Sequence, residues 1–351
     1  MRTFLFCNYL SQIPDANTFG ENFLNPMNRR TLIRNMLLAG AGAALPLKNL
    51  FAAVATPVTR PFHQFRLGEL ELITVTDGFI HMDKVQPNFA PGVPAKAVND
   101  LLQKSFRPTD HVDLGMNMLL VKKQDQVILI DTGTGNAFGK NSGWLLNSLA
   151  DAGIQPADIT TIIISHGHPD HIGGVLNAGG APNFPNAEYY ISRIEHDFWM
   201  ADQQDFSKSA FEDKALLKVF TKATQQVLTT IKPKLHLFED GLVLHDCIKL
   251  EIAPGHTPGH TITHIYSGGQ SIVHVADLIH SDVLLFPHPE WGFNGDTDLQ
   301  LAAATRKKVL ARLTASATPI FAYHLPWPGI GHARKKDGAF EWVAEAYAYP
   351  G

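Results

Sequence analysis

Three imidazoles and a carboxylate crowd into His166-Gly167-His168-Pro169-Asp170-His171, directly after the apolar run Thr161-Ile162-Ile163-Ile164. That run is β-branched and uninterrupted, the pattern of a strand buried on both faces. The polar side chains therefore emerge together at the strand's C-terminal end, on a turn tightened by glycine and proline. Imidazole and carboxylate are the groups that hold Zn²⁺ and similar borderline cations. A catalytic cation rarely takes more than three protein ligands, so the cluster points to two metals. The plain alternative is a polar turn with surface histidines, and turn chemistry supplies no reason for three imidazoles.

Further residues of the same kind end other apolar runs. Asp131 follows Ile128-Leu129-Ile130 and opens Asp131-Thr132-Gly133. His256 sits in Ala253-Pro254-Gly255-His256-Thr257-Pro258-Gly259-His260, Asp277 follows Ser271 to Ala276, and His324 follows Pro319 to Tyr323. Taken in this order with His166-x-His168-x-Asp170-His171, the chain resembles the metallo-β-lactamase-fold hydrolases from about residue 62 to its C-terminus. The resemblance implies an α/β protein, an αβ/βα four-layer sandwich of two mixed β-sheets flanked by helices. It also implies two divalent metal ions, expected to be Zn²⁺. His166, His168 and His256 would hold the first; Asp170, His171 and His324 would hold the second, with Asp277 bridging. Two such charges lower the pKa of a shared water from 15.7 toward about 7, which provides a hydroxide nucleophile at neutral pH.

Asp170 and His280 are the candidate catalytic residues. His280 lies three positions after Asp277, where lactonases of the superfamily place a tyrosine facing the substrate carbonyl, so it is expected to bind or protonate substrate. Asp131 is expected to hold the far N–H of a ligand imidazole, with His260 in the same supporting layer. His168 stands where the flavodiiron branch carries glutamate, and Asp277 where true β-lactamases carry Cys or Ser. Oxygen reduction and penicillin hydrolysis are both disfavoured by those two positions.

A closer resemblance comes from Leu67 to Leu72, Phe184-Pro185-Asn186-Ala187, Asp197-Phe198-Trp199 and His324-Leu325-Pro326-Trp327-Pro328-Gly329-Ile330-Gly331-His332. These look like the methyl-parathion-hydrolase group, which includes N-acyl-homoserine lactonases and has an aromatic-walled pocket. Phe138, Trp199, Phe206 and Phe211 are the candidates for that wall. The segment from Leu284 to Phe293 departs from the phosphotriesterase pattern. Its Phe286, Trp291 and Phe293 are expected either to line an acyl-chain groove or to anchor a loop on the core. Apolar walls suit a small uncharged ester or lactone. The expected activity is hydrolytic opening of the lactone ring of N-acyl-homoserine lactones, that is, quorum quenching. The alternative is hydrolysis of organophosphate triesters or aryl esters.

The elements that must position these groups are legible in outline. Leu70 to Asp77 alternates as a strand and meets Asp77-Gly78, a hairpin-type turn signal. Met118 to Val121 and Val127 to Ile130 read as neighbouring strands, and Trp144 to Ala152 as a helix stopped by Gly153. Glu195 to Ile231 is a long, predominantly helical region. Strands follow at 242–244, 248–252, 262–266, 272–275 and 320–323, and Leu299 to Leu313 has amphipathic helical spacing.

The chain has 351 residues, 45% of them hydrophobic, and a net charge of −4 without a basic run. Binding of nucleic acid through a basic surface is therefore disfavoured. Asn28-Arg29-Arg30-Thr31-Leu32-Ile33-Arg34 and the weakly apolar stretch after it resemble a twin-arginine export signal, with Ala53-Val54-Ala55 as the cleavage site. Residues 1–55 are thus expected to be a removed leader, 56–351 the hydrolase domain, and the periplasm or exterior its location. Residues 1–26 fit neither signal nor fold, which makes Met27 a candidate start. The apolar stretch is too short and glycine-rich for stable membrane insertion. Removal of Cys7 with the leader leaves Cys247 alone, so no internal disulfide is available. A homodimer is the default state for such an enzyme. The remaining histidines lack ligand spacing. N-terminal sequencing of the exported protein should read Thr56 first; an intact Met1 would remove the leader assignment.

Overall fold

Thr161–Ile163 is a strand with all three residues buried, because it is sandwiched between other strands and covered on both faces. The computed structural model describes residues 62–135 and 137–346; the expected leader and cleavage site lie outside the described residues. One seven-stranded sheet runs, in chain order, β1 (Phe62–Leu67), β2 (Leu70–Met82), β3 (Val112–Lys123), β4 (Gln126–Ile130), β5 (Thr161–Ile163), β6 (Glu188–Ser192) and β7 (Leu235–Phe238). Its first three pairings are antiparallel and its last three parallel. A second seven-stranded sheet holds β8 (Val243–Leu244), β9 (Ile248–Ile252), β10 (Thr261–Ser267), β11 (Gln270–His274), β12 (Ile320–Phe321), β13 (Ile330–Lys336) and β14 (Ala339–Ala344). Only β11 and β12 pair in parallel there.

The helices are α1 (Ala95–Lys104), α2 (Leu145–Asp151), the single turn α3 (Pro169–Ile172), α4 (Arg193–Met200), α5 (Lys214–Ile231) and α6 (Leu299–Ala315). The period-two alternation of the strands sorts side chains into separate cores. Leu72, Leu119, Val121, Ile128, Ile130 and Ile163 pack between the sheets against Leu250, Ile265, Ile272 and Phe321. Their alternates Ile73, Val75, Met118, Leu120, Leu129 and Ile162 meet α2 and α5 through Leu145, Leu149, Val227, Leu228 and Ile231. On the other side, Ile262, Val273, Val275 and Ile320 meet α6 through Val309, Leu310 and Leu313. Three apolar layers between four layers of structure make the αβ/βα sandwich. Among the described residues no helix is long and apolar enough to cross a membrane.

Two local expectations change. Asp77-Gly78 does not turn the chain: β2 continues to Met82 through a register shift between Thr76 and Gly78. The Asp77 carboxylate is buried and accepts the backbone N–H groups of Thr134, Gly143 and Leu145, and those bonds reward a bulge over a turn. The helical region after Glu195 also breaks. The Gln204 amide donates to the carbonyls of Trp199 and Ala201, satisfying the end of α4. Asp213 then caps α5 by accepting from the Leu216 N–H.

The turn that carries the imidazoles is clamped to the end of β4. Thr132 donates from its backbone and its hydroxyl to the His171 carbonyl at 2.7 and 3.0 Å. Gly174 lies so close that a Cβ there would sit 1.9 Å from the Thr132 carbonyl oxygen. Backbone on both sides cannot yield as a side chain would. Gly174→Ala should therefore cost about 2 kcal/mol, within the range for overpacking, or roughly 4–8 °C of Tm. An unchanged melt of the metal-free protein would contradict this.

Candidate metal centre

The polar ends of strands from both sheets meet at one edge of the sandwich. Asp131 follows β4, His166 to His171 follow β5, His256 lies in the β9–β10 connection, Asp277 follows β11 and His324 follows β12. His166, His168, His256 and Asp277 present ligand atoms within 4.8 Å of one another. Asp170, His171 and His324 form a second group, and Asp277, His280 and His324 a third. Asp277 lies between them: its Oδ2 is 3.2 Å from His256 Nε2 and 3.4 Å from His324 Nε2, and its Oδ1 is 3.1 Å from His171 Nε2. Backbone strain aims this side chain and its neighbour. Ala276 has φ 43° and Asp131 φ 62°, in the left-handed region that non-glycine residues enter at a cost.

In each neutral ring the inward nitrogen carries a lone pair, because the outward one holds the proton in a hydrogen bond. Carboxylate and carbonyl oxygens only accept, so the imidazole must donate to them. His171 Nδ1 donates to Asp131 Oδ2 at 2.8 Å, His256 Nδ1 to Asp296 Oδ1 at 2.9 Å, and His324 Nδ1 to the Gly115 carbonyl at 2.7 Å. Ser165 gives its hydroxyl proton to Asp131 at 2.7 Å and so accepts from His166 Nδ1 at 3.0 Å. His260 Nδ1 donates to the Ala253 carbonyl, leaving its Nε2 to accept the Asp277 N–H at 3.1 Å. His166 Nε2, His168 Nδ1 and His256 Nε2 thus face one another at 2.9 to 3.2 Å. Tetrahedral Zn–N bonds of about 2.0–2.1 Å give N···N edges of roughly 3.3 Å. His171 Nε2 and Asp277 Oδ1 are buried without a hydrogen-bond partner. Lone pairs converging at these distances, with orphaned buried acceptors beside them, fit a pair of divalent cations.

Without cations, protons compete for the same sites. Burial depresses His256, but the Asp277 and Asp296 carboxylates outweigh it and raise the ring to about 9. Burial likewise depresses His324, and Asp277 with Asp170 raises it to about 9. His168 is the opposite case: burial, then His256, lowers it to about 3.

His280 is buried, with Nε2 3.0 Å from Asp277 Oδ2 and its ring stacked on Phe293 at 4.1 Å. Burial lowers its pKa to about 4 despite Asp277. Asp170 is partly buried at the cavity wall, and the Tyr323 hydroxyl donates to its carbonyl at 2.7 Å.

A cavity of about 290 Å³ opens onto His168, Asp170, His256, Asp277 and His324. Phe138, Phe206, Phe211 and Phe293 line it, with Phe220, Ile80, Met82 and Leu114 added from elements that carried no ligand signal. Trp199, Phe286 and Trp291 do not. Trp199 is fully buried beneath Gly167, where its indole N–H donates to Glu195. Phe286 is a core residue against Trp342, and Trp291 stacks on His288 at 4.0 Å. Phe286 and Trp291, packed on the core, take the anchoring alternative, and Trp199 is a core residue rather than part of the wall. A larger cavity of about 540 Å³ reaches His280 and His324 from the side of Arg107, Trp144 and Trp327. Sequence reasoning missed Asp296, Ser165, Tyr323 and Glu195. Only Glu195 left a trace, as the last residue of a Ser192-x-x-Glu195 helix-start pattern.

Comparison with known proteins agrees with this geometry. The family model described as the metallo-beta-lactamase superfamily matches residues 112–324. Among solved structures, AidC, a dizinc quorum-quenching lactonase solved with a product, superposes with TM-score 0.79 at 45% identity, covering 82% of this chain and 98% of AidC. The hydrolase AbOPH superposes with TM-score 0.75 at 30% identity, covering 82% and 99%. Among curated proteins, metallo-beta-lactamase domain-containing protein 1 of Mus musculus is 41% identical over 21% of this chain and 24% of its own length. An N-acyl homoserine lactonase of Bacillus sp is 25% identical over 49% of this chain and 66% of its own length. The chain thus spans less than two thirds of each of these two curated relatives.

Metal must displace protons held up to about pH 9 on His256 and His324. Zinc uptake by the metal-free protein should therefore release at least one proton per chain at pH 7.5, and apparent affinity should rise with pH toward 9. Titration calorimetry in two buffers of different ionisation enthalpy measures this; identical heats in both would contradict it.

Proposed function

The chain belongs to the metallo-beta-lactamase superfamily, and from that premise we propose that it is a two-metal hydrolase opening the ring of N-acyl-homoserine lactones. The observation that carries this reading is the phenylalanine-walled cavity ending on the ligand cluster. Among the described residues that line it there is no Lys or Arg to hold an anionic substrate. The wall suits an aliphatic acyl chain, and the cluster suits an uncharged ester. The similarity to a dizinc lactonase over nearly that protein's whole length supports the same choice.

His166, His168 and His256 would hold one cation, Asp170, His171 and His324 the other, and Asp277 would contact both. Two divalent cations supply Lewis acidity and an acidified water. The chain's own residues do the rest. Phe206, Phe211 and Phe293 strip water from the acyl chain, each buried methylene being worth about 0.8 kcal/mol, or roughly fourfold in KM. Asp131, Ser165 and Asp296 fix the imidazoles in the tautomer that points a lone pair inward. His280 would restrain Asp277 and, at the wall of the larger cavity, help bind or protonate the substrate. The resemblance of residues 28–55 to a twin-arginine export signal supports a periplasmic or secreted location.

The test gives purified, zinc-loaded enzyme a long-chain acyl-homoserine lactone and an aryl phosphotriester side by side. Acid release from the lactone, abolished by a chelator, with negligible phenol from the triester is expected; the reverse sinks the proposal. His280→Ala should lower lactonase kcat/KM about 10-fold or more, as loss of a residue supporting a ligand does. Full kcat/KM with both metals bound would end any role for His280.

A further inference from the structure

Glu195 is fully buried in the first turn of α4, and its carboxylate is used neither as a ligand nor toward the cavity. Four donors converge on it, divided by origin. Oε1 accepts the Gly167 N–H at 2.9 Å and the Trp199 indole N–H at 2.6 Å. Oε2 accepts the Thr257 hydroxyl at 2.7 Å and the Gly259 N–H at 2.9 Å. Gly167 lies between His166 and His168, on the turn after β5 of the first sheet. Thr257 and Gly259 follow His256, on the connection between β9 and β10 of the second. The ligand groups of the first site come from these same two loops.

We propose that Glu195 is a positioning residue that latches the two loops together and so sets the affinity of the first metal site, leaving the second largely untouched. The surroundings are shaped to admit the carboxylate and nothing more. A Cβ on Gly259 would lie 2.3 Å from the Glu195 backbone nitrogen, and one on Gly167 would lie 2.4 Å from the Trp199 indole nitrogen. The Ser192 hydroxyl adds a parallel tie to the Gly259 carbonyl at 2.9 Å. Asp170 and His171 lie beyond Gly167 on α3, which Thr132 and Asp131 hold from β4, and Gly115 and Asp277 reach His324 from elsewhere. None of those supports passes through Glu195.

A carboxylate offers only acceptors, whereas an amide offers one acceptor and one NH₂ donor. In Glu195→Gln, whichever way the amide turns, its NH₂ faces a backbone N–H that can only donate, Gly167 of one loop or Gly259 of the other, and that loop is pushed off. The inference rests on the two-cation reading of the centre and is independent of the substrate.

The test uses full-length metal-free protein titrated with zinc against a chromophoric chelator, so that two dissociation constants are read. A His256→Ala protein identifies which of them belongs to the first site. Glu195→Gln should weaken that site about 10–100-fold, the range for outer partners of metal ligands, and change the other less than about threefold. A residue that merely stabilised the fold would lower Tm with both constants kept, or weaken both alike; either result overturns the proposal. Should Glu195→Gln not fold, Thr257→Val removes a single donor and leaves the carboxylate, and it should weaken the first site selectively by several-fold. Unchanged zinc affinity in that variant also overturns the proposal. Wild-type protein that takes up no zinc would instead refute the metal centre itself.

Discussion

A carboxylate and at least four imidazoles share one buried volume, and the rest of the structure follows from that constraint. Asp277 is 2% exposed and lies within 3.7 Å of His166, His171, His256 and His324. Burying so many polar groups is costly unless each is compensated. Cations at the two clusters supply the compensation from within. From without, His171, His256, His260 and His324 each donate to a carboxylate or carbonyl oxygen, and His166 to the Ser165 hydroxyl. The left-handed backbone at Asp131 and Ala276 is the local strain that this arrangement carries.

The supporting acceptors are scattered along the chain. Asp131 is 40 residues from His171, Asp296 is 40 from His256, and the Gly115 carbonyl is 209 from His324. They meet because both sheets end their strands at the same edge and present their loops to one another. The inter-sheet core of Leu119, Ile128, Ile163, Leu250 and Phe321 sets the spacing of those edges. A shift of one sheet against the other would separate His256 and Asp277 from His166. Packing far from the centre therefore enters directly into metal geometry.

The cavity has a different origin. It is walled by the break between α4 and α5 with the first turns of α5, by the paired ends of β2 and β3, and by the loops after β4 and β11, and no regular core element contributes its phenylalanines in series. Gln204, by satisfying the carbonyls at the end of α4, frees Phe206 and Phe211 to turn over the ligand cluster. A scaffold of fixed strands with variable connections lets substrate choice change while the ligand set stays in place.

Local sequence determined the ligand types and their placement at strand ends. Three imidazoles after a β-branched run, and single His or Asp residues after four others, are readable because strand ends and metal chemistry are both short-range patterns. The sandwich was legible as far as the strands and α6, since alternation and helical spacing encode which face is buried. Asp77-Gly78 misled because a turn dipeptide also suits a bulge, and the choice lay with Thr134, Gly143 and Leu145, more than fifty residues away. Trp199 misled, and Phe286 and Trp291 stay ambiguous in the sequence, because an aromatic side chain looks alike on paper whether it lines a cavity or plugs a core. Asp296 and Glu195 were invisible as partners of the centre, since their donors are distant in sequence. What a residue is made of is written locally; which donors and acceptors surround it in the absence of water is decided only when both sheets close.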